Sequence, residues 1–288
     1  MISFRYHLVS LAAALIALAA GVALGAGPLQ NSDDDGEGET TANVEISPAL
    51  AGFEASYAKL GSDYIESRLG NQSVVILTTP TARDGEVKSL IEYIQAAGGE
   101  VSGQLGLTAK FLDPANRQFT ESVASQSAGS AAGTGEDYER VGSALGRALL
   151  ADEPGDSDAT AQTILSAFLE GGLVEQVQQP EGTASLVLIV TGPRGSTSAG
   201  EGVVISQMVG ALDSAGAGAV VAGPASAGQD DGVVATVRES AAAASVSTVD
   251  VTDLGSGRIV AVLALESESK GVSGAWGTSS AADGTLPR

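Results

Sequence analysis

An uncharged apolar run opens the chain and divides it into two unequal parts. The run extends from Leu8 to Ala26 and contains no charged residue. As a helix that rises 1.5 Å per residue, it reaches roughly 28 Å, about the thickness of a bilayer's hydrocarbon core. The pattern predicts a single N-terminal transmembrane helix over residues 8–26.

The charges on the two sides of this run differ in sign. Arg5 precedes it, and the first charges after it are Asp33, Asp34 and Asp35. Because positively charged flanks stay in the cytoplasm, we expect residues 1–7 inside and the rest of the chain outside, in a single-pass protein of the cell membrane. Small residues near Ala26 would also suit a signal peptidase, but the run is longer than the usual apolar core of a cleaved signal.

Small residues recur every four positions along the predicted membrane helix. They are Ala13, Ala17, Gly21 and Gly25. On a helix they share one face, along which two backbones can approach closely. We interpret this face as an oligomerisation surface, although alanine and glycine are common throughout the segment.

A polar linker and a short amphipathic helix follow. Residues 27–48 carry an acidic cluster without the ligand spacing of a calcium loop, so they are predicted to be a solvated tether. Residues 49–70 are predicted to be a helical neck whose apolar positions are spaced three, four, three and four: Leu50, Phe53, Tyr57, Leu60 and Tyr64. This is a heptad seam that favours a homo-oligomeric coiled coil. Two heptads are short for a coiled coil, and Ser67 interrupts the seam, so a helix packed on its own domain is the alternative.

The remaining pattern is that of an α/β domain over residues 71–265. Apolar strands are predicted at 73–80, 100–107, 185–193, 219–224, 246–251 and 258–265, with helices at 84–97, 136–150, 158–170, 200–215 and 231–244. Strands buried on both faces that alternate with amphipathic helices predict a doubly wound, mostly parallel sheet. Residues 266–288 are rich in serine and glycine and are predicted to be a flexible tail.

A family resemblance rests on the N-terminal thirty residues. Phe4 to Leu11, read FRYHLVSL, and Gly21 to Leu29, read GVALGAGPL, resemble the start of the actinobacterial MctB-type copper transport outer membrane protein family. The resemblance implies an anchored envelope protein with a helical or coiled-coil neck and an α/β extracytoplasmic domain. The family name implies copper efflux or tolerance, and outer membrane as the alternative location. A similar branch, called SteB, implies a role in cell division, with a cytoplasmic partner at the N-terminus and a peptidoglycan hydrolase outside.

The charge balance excludes one class of partner. The chain has 14 lysines and arginines against 35 aspartates and glutamates, a formal net charge of −21. Nucleic acid binding needs clustered cations that release counterions from phosphates, so nucleic acid is not expected as a partner.

The sequence also offers little for catalysis. Gly192 to Gly200 follows a strand and precedes a helix, but its glycines do not match a nucleotide-binding fingerprint, and no phosphate-loop motif occurs. His7 is the only histidine, so the exported part has no histidine to activate a nucleophile. Neither a catalytic residue nor a resident cofactor is expected, and the protein is interpreted as a non-enzyme.

The number of possible copper ligands in the chain tests the function that the family name implies. Thiolate and thioether ligands suit Cu(I), and imidazole suits Cu(II). The chain has no cysteine, His7 alone, and two methionines, Met1 and Met208. No metal site is therefore expected unless the family label holds for this chain, and the predicted membrane helix lacks the polar residues that would line a channel.

From these observations we expect a membrane-anchored binding or regulatory module of the envelope. The interpretation favoured by the residues and the SteB resemblance is control of a peptidoglycan hydrolase during cell division. In it, Phe4, Arg5, Tyr6 and His7 form the docking peptide for a cytoplasmic partner. The alternative is copper transport, efflux or homeostasis.

Overall fold

The structure is a computed structural model that describes residues 48–135 and 138–287. The N-terminal peptide, the apolar run with its small-residue face, and residues 27–47 of the predicted tether lie outside the described residues. Among the helices described, none has both the length and the apolar character needed to cross a bilayer.

A seven-stranded sheet forms the centre of the domain. Its spatial order is β3-β2-β1-β4-β5-β6-β7, and every neighbouring pair is parallel except β2 and β3. The strands are β1 (Ser73–Thr78), β2 (Glu100–Leu107), β3 (Val174–Gln178), β4 (Leu186–Val190), β5 (Gly218–Ala222), β6 (Ser247–Val249) and β7 (Ala275–Trp276). The predicted α/β domain with a mostly parallel sheet is confirmed.

Helices cover both faces of this sheet. They are α1 (Pro48–Ile65), α2 (Asp84–Ala96), α3 (Ala109–Leu112), α4 (Arg117–Ala128), α5 (Tyr138–Leu149), α6 (Ala159–Glu170), α7 (Ser198–Asp213), α8 (Val233–Arg238) and α9 (Gly255–Glu268). Short 3-10 turns occupy Pro114–Asn116, Gly129–Ala132, Ala225–Gly228 and Ala241–Ala244.

The central strands are apolar throughout because each of their faces meets a separate hydrophobic core. Val74 and Ile76 of β1 pack with α1, α2 and α9, whereas Val75 and Leu77 pack with α4 to α8. Successive side chains of a strand point to opposite sides of the sheet, so an unbroken apolar run satisfies both cores.

Two glycines allow α5 and α7 to approach closely in the second core. A Cβ atom added at Gly142 would lie 2.2 Å from the carbonyl oxygen of Met208 in α7, and one added at Gly146 would lie 2.6 Å from the Cβ of Ala215, two residues after the end of α7. Both distances are far below van der Waals contact. The glycines, four residues apart in α5, therefore set the separation of these helices.

Two element predictions are wrong. The apolar run Arg258–Leu265, expected to be a closing strand, lies in the helix α9. This helix is buried between the sheet and α1, and a helix covered on both sides carries apolar residues around most of its circumference. The helix predicted over 231–244 is interrupted after Arg238, and only Ala241–Ala244 continue as a 3-10 turn.

The C-terminal segment, expected to be a flexible tail, contributes to the sheet. Glu266 to Glu268 complete α9, and Ala275–Trp276 pair with β6 as β7. A buried ion pair of Arg238 and Asp250 supports this arrangement. Arg238 also donates to the carbonyl oxygen of Trp276 and to the Ser279 hydroxyl, and Asp250 accepts the backbone N–H of Thr278. These contacts hold residues 276–279 against β6.

Candidate functional site

One face of α1 attaches this helix to the domain. Glu54 accepts the Ser256 hydroxyl at 2.9 Å, and Ile65 is fully buried in the core beneath α9. Gly61 lies against the side chain of Ile259, where a Cβ atom would collide with it. The helix predicted to be a neck therefore packs along α9. On this face, α1 is a helix packed on its own domain, as the alternative interpretation of the heptad pattern proposes.

A second face of α1 is apolar and exposed to solvent. Phe53, Tyr57, Leu60 and Tyr64 expose 62%, 52%, 69% and 59% of their surfaces. At about 100° per residue these four side chains fall within about 60° of the helix circumference. They lie about a quarter turn away from the face that contacts α9. We call these four residues the α1 stripe.

The stripe is continuous along the helix and ends at a charged residue. The rings of Phe53 and Tyr57 stack with their centroids 6.0 Å apart. At the other end, the guanidinium of Arg68 lies 4.4 Å from the centroid of the Tyr64 ring, and Glu266 of α9 holds it there by an ion pair at 3.2 Å. Four residues of the predicted seam thus form one exposed surface, and Arg68 lies at the end of it.

The end of the helix that carries the predicted seam differs in the structure. The sequence predicts a helical neck over residues 49–70, but α1 ends at Ile65, and Ser67 and Asn71 adopt positive φ angles of 63° and 67°. The seam therefore stops at Tyr64. Leu50 lies within α1, but its side chain is outside the described part of the structure, as are all the predicted contact residues of the N-terminal 47.

The glycine-containing loop that begins near Gly192 follows β4 at the point where the strand order reverses. Gly192 packs against the backbone of Thr81, where no side chain would fit. Arg194 donates to the carbonyl oxygen of Asp230, and its backbone N–H donates to Ser226. The arginine side chain therefore contributes to holding two loops together.

The acidic turn before α6 also has a local structural role. Asp158 accepts the backbone N–H of Ala161 at 2.8 Å and so caps the helix. Hydrogen bonding from Ala161, followed by that from Arg147, lowers the pKa of Asp158 below its usual value. An ionised carboxylate at a helix N-terminus is favoured by the helix dipole.

The described residues contain few groups suited to holding copper. Within 48–135 and 138–287, no three His, Asp or Glu side chains converge as a metal site would require. The thioether of Met208 is fully buried among apolar side chains of the core. With no cysteine in the chain, the soft ligands preferred by Cu(I) are scarce.

Sequence reasoning did not find an open groove beside α5 and α7. Its volume is about 1000 Å³, and serine, alanine and glycine dominate its lining, including Ser143, Ser206, Gly210, Ala211 and Ser245. Small residues at these positions leave space between the helices and the 3-10 turn Ala241–Ala244. The only sequence signal was the density of small residues, which also occurs elsewhere in the chain.

Comparison with known proteins identifies the family. The sequence profile of the family described as "Copper transport outer membrane protein, MctB" matches residues 1–287. The chain belongs to the MctB family. Among its relatives, Copper transporter MctB of Mycobacterium tuberculosis (strain H37Rv) and that of Mycobacterium bovis are both 33% identical over 289 residues, with 92% of each chain covered.

A third MctB relative confirms the breadth of the similarity. Copper transporter MctB of Mycobacterium leprae is 31% identical over 292 residues, again with 92% of each chain covered. The resemblance of the thirty N-terminal residues therefore extends over nearly the whole MctB chain. These comparisons favour the copper interpretation over cell division, because each relative is named a copper transporter.

Proposed function

We propose that this protein serves copper transport or copper homeostasis in the cell envelope as a non-enzymatic, membrane-anchored interaction module. The observation that carries this proposal is the 33% identity to Copper transporter MctB over 92% of the chain. The proposal replaces cell division as the preferred function, because the comparisons point to copper.

The donor chemistry of the chain supports an indirect role in handling copper. The whole sequence contains one histidine, two methionines and no cysteine, and Met208 is buried in the core. A transport path built from this chain alone would offer copper few ligands along its length. In the proposed role the protein assembles or positions other envelope components, and copper is their cargo.

The α1 stripe supplies the interaction surface. Its aromatic and leucine side chains are half or more exposed, so they leave apolar surface in contact with water. Contiguous exposed patches of this kind mark sites of protein contact. A parallel pair of α1 helices from two copies would place each stripe against the other at heptad spacing. The stripe lies about a quarter turn from α9, so the partner helix would lie beside the domain.

Membrane anchoring would strengthen such a short interface. In the proposed topology residues 8–26 cross the membrane once, with residues 1–7 in the cytoplasm and the α/β domain outside. Two copies held in one membrane meet at a high effective concentration, which compensates for an interface of only two heptads. Pairing of the small-residue face Ala13, Ala17, Gly21 and Gly25 would add to it.

A complementation experiment tests the proposed function. A strain that lacks the gene is expected to become more sensitive to copper in the medium, and the wild-type gene is expected to restore growth. The double variant Tyr57→Asp, Leu60→Asp should restore little, because charges on the stripe oppose pairing. Lys59→Asp, on another face of α1, should restore growth. Unchanged copper tolerance and cellular copper content after deletion would refute the copper role.

Hydrolase control in cell division remains the second candidate, and the exposed stripe favours it. A helix with an unpaired heptad seam is also suited to binding a helical segment of another protein. Under this alternative, deletion would lengthen or branch the cells at unchanged copper tolerance. A purified peptidoglycan hydrolase would then bind the wild-type domain and not the Tyr57→Asp, Leu60→Asp variant. If this second candidate failed, the N-terminal residues Phe4 to His7 would lose their proposed cytoplasmic partner as well.

A further inference from the structure

Two acidic side chains lie at the edge of the sheet where β5 and β6 begin. Asp213 is the last residue of α7, and Glu268 is the last residue of α9. Glu268 is buried, and Asp213 is partly buried. They belong to helices on opposite faces of the sheet, and both reach the amino ends of the same strands.

Backbone N–H groups of these strands bind both carboxylates. The backbone N–H of Ser247 in β6 donates to Oε1 of Glu268 at 2.6 Å, and that of Ala219 in β5 donates to Oδ1 of Asp213 at 3.1 Å. The side chain of Glu268 lies across Gly218, where an added Cβ would be 2.5 Å from the Cβ of Glu268. The position of the glutamate is therefore fixed by packing and by hydrogen bonding.

The surroundings of this pair contain no compensating cation among the described residues. Gly218 and Ser247 contact Glu268, and the segments around them, 214–222 and 240–249, contain no charged residue. On its own helix, Lys270 Nζ is bound to Glu266. Arg147, which lines the neighbouring groove, pairs with Asp158. From α7, the only charged group facing Glu268 is Asp213, which has the same sign.

This environment favours a protonated state. Burial is the main cause that raises the pKa of Glu268, to about 7, with a further contribution from the charge of Asp213 and an opposing one from Ser247. Burial also raises the pKa of Asp213, against hydrogen bonds from Ser245 and Ala219. Two buried carboxylates without a cation hold a proton more tightly than they do in water.

We propose that Asp213 and Glu268 form a proton-dependent lock that fastens the C-terminal end of α9 to the amino ends of β5 and β6. With a proton bound, the pair is satisfied by the two strand N–H groups. When the proton leaves, two negative charges face each other at the C-terminal end of a helix, where the helix dipole also disfavours negative charge. The lock then opens locally.

The opening would reach the candidate interaction surface through α9. Glu266, two residues before Glu268, holds Arg68 over the ring of Tyr64 at the end of the α1 stripe. The segment between α9 and β7 follows directly after Glu268. Loss of the proton is therefore expected to loosen residues 266–276 and, through Glu266, the end of the stripe.

Hydrogen exchange of the full-length protein in detergent micelles tests the lock. The Ser247 amide reports directly, because its hydrogen is bound by Glu268. After correction for the intrinsic rate, the opening equilibrium of this amide is expected to rise roughly twentyfold between pH 5.5 and pH 8, as linkage requires for a carboxyl that titrates near neutral pH. In Glu268→Gln the acceptor remains and the charge is absent, so the rise should disappear.

A matched control on the same helix separates this effect from a general one. Glu266 is also largely buried but is paired with Arg68 and Lys270, so Glu266→Gln should keep the pH dependence of the Ser247 amide. A carbon-13 NMR titration of the wild-type glutamate side chains does not depend on any variant folding. A Glu268 carboxyl that titrates below pH 5, or equal corrected protection of Ser247 at both pH values, would overturn the proposal.

Discussion

At the scale of single residues, the glycines of α5 show how little space separates the helices of this domain. Gly142 allows the backbone of α5 to contact the carbonyl oxygen of Met208. In contrast, Gly210 of α7 has no atom within 4 Å of the position that its Cβ would occupy. The two helical glycines therefore predict opposite effects of the same substitution.

Gly142→Ala is expected to lower the free energy of unfolding by about 1 to 3 kcal/mol, because the added methyl group overpacks the contact between α5 and α7. Gly210→Ala is expected to raise it by about 0.5 to 1 kcal/mol, since alanine restricts the unfolded chain and favours the helix. Urea denaturation of both variants measures the difference. Equal effects of the two substitutions would mean that α5 and α7 are not in the close contact described.

The buried pair of Arg238 and Asp250 predicts a dependence of stability on acid. Burial by itself raises the pKa of Asp250, but hydrogen bonds from Thr278 and Ser279 and the pairing with Arg238 outweigh it, so the net pKa is lowered. A carboxylate with a lowered folded-state pKa stabilises the protein above its unfolded pKa of about 4 and loses this contribution as the pH falls further.

Arg238→Met is expected to destabilise the protein by about 3 to 5 kcal/mol at pH 7, because it leaves a buried carboxylate without its cation. The difference in stability between the variant and the wild type should become smaller towards pH 3, where Asp250 takes up a proton in the variant. Thermal unfolding at pH 7, 5 and 3 measures this trend. A control is Arg194→Met, whose arginine is exposed and contacts one carbonyl oxygen, and which should change stability by less than about 1 kcal/mol.

At the scale of elements, the sequence predicted those strands whose two faces are both apolar. The runs at β1 and β4 have this pattern, and β2 was predicted with its observed bounds, Glu100–Leu107. The sequence did not predict β3, because four of its five residues are exposed and three of them are polar. The segment therefore lacks the alternation of apolar and polar residues that indicates a strand. The helix α9 was mistaken for a strand because it is covered by both the sheet and α1.

The candidate site was predictable in part for a related reason. Heptad spacing identified Phe53, Tyr57, Leu60 and Tyr64 as one face, but the spacing does not say whether that face is covered by the domain. The contacts of Glu54, Gly61 and Ile65 with α9 show which side of α1 is buried. The carboxylates of Asp213 and Glu268 are 55 residues apart in the sequence, so no local pattern could join them.

Cysteine cross-linking tests the pairing of the α1 stripe. The natural chain has no cysteine, so Leu60→Cys introduces a single thiol on the stripe. In a parallel pair the two thiols face each other, and mild oxidation in membranes is expected to give a covalent dimer. Lys59→Cys, at about 100° around the helix, should give much less. Similar yields from both variants would argue against a specific seam.

At the scale of the whole molecule, the distribution of charge fits a protein exported from the cytoplasm. The charges before the apolar run and after it differ in sign, and the domain that follows carries most of the net charge of −21. An acidic surface of this kind is expected to repel nucleic acid and anionic lipid headgroups. The proposed arrangement has one membrane crossing with the α/β domain outside.

Labelling of intact cells with a membrane-impermeant maleimide tests this topology. Ser32→Cys, after the apolar run, is expected to react, whereas Ser3→Cys, before it, should react only after the membrane is permeabilised. The absence of natural cysteine keeps the background low. Labelling of Ser3→Cys in intact cells, or a mature protein that begins after Ala26, would contradict the proposed anchor.

The attachment of α1 to α9 has a mechanical consequence. α1 contacts α9 along most of its length, through Glu54, Gly61 and Ile65, and α9 in turn packs on β5 and β6. A force applied at Pro48 is therefore expected to reach β5 and β6 through the packing of α1 on α9. α1 and the central strands are therefore expected to move together under such a force.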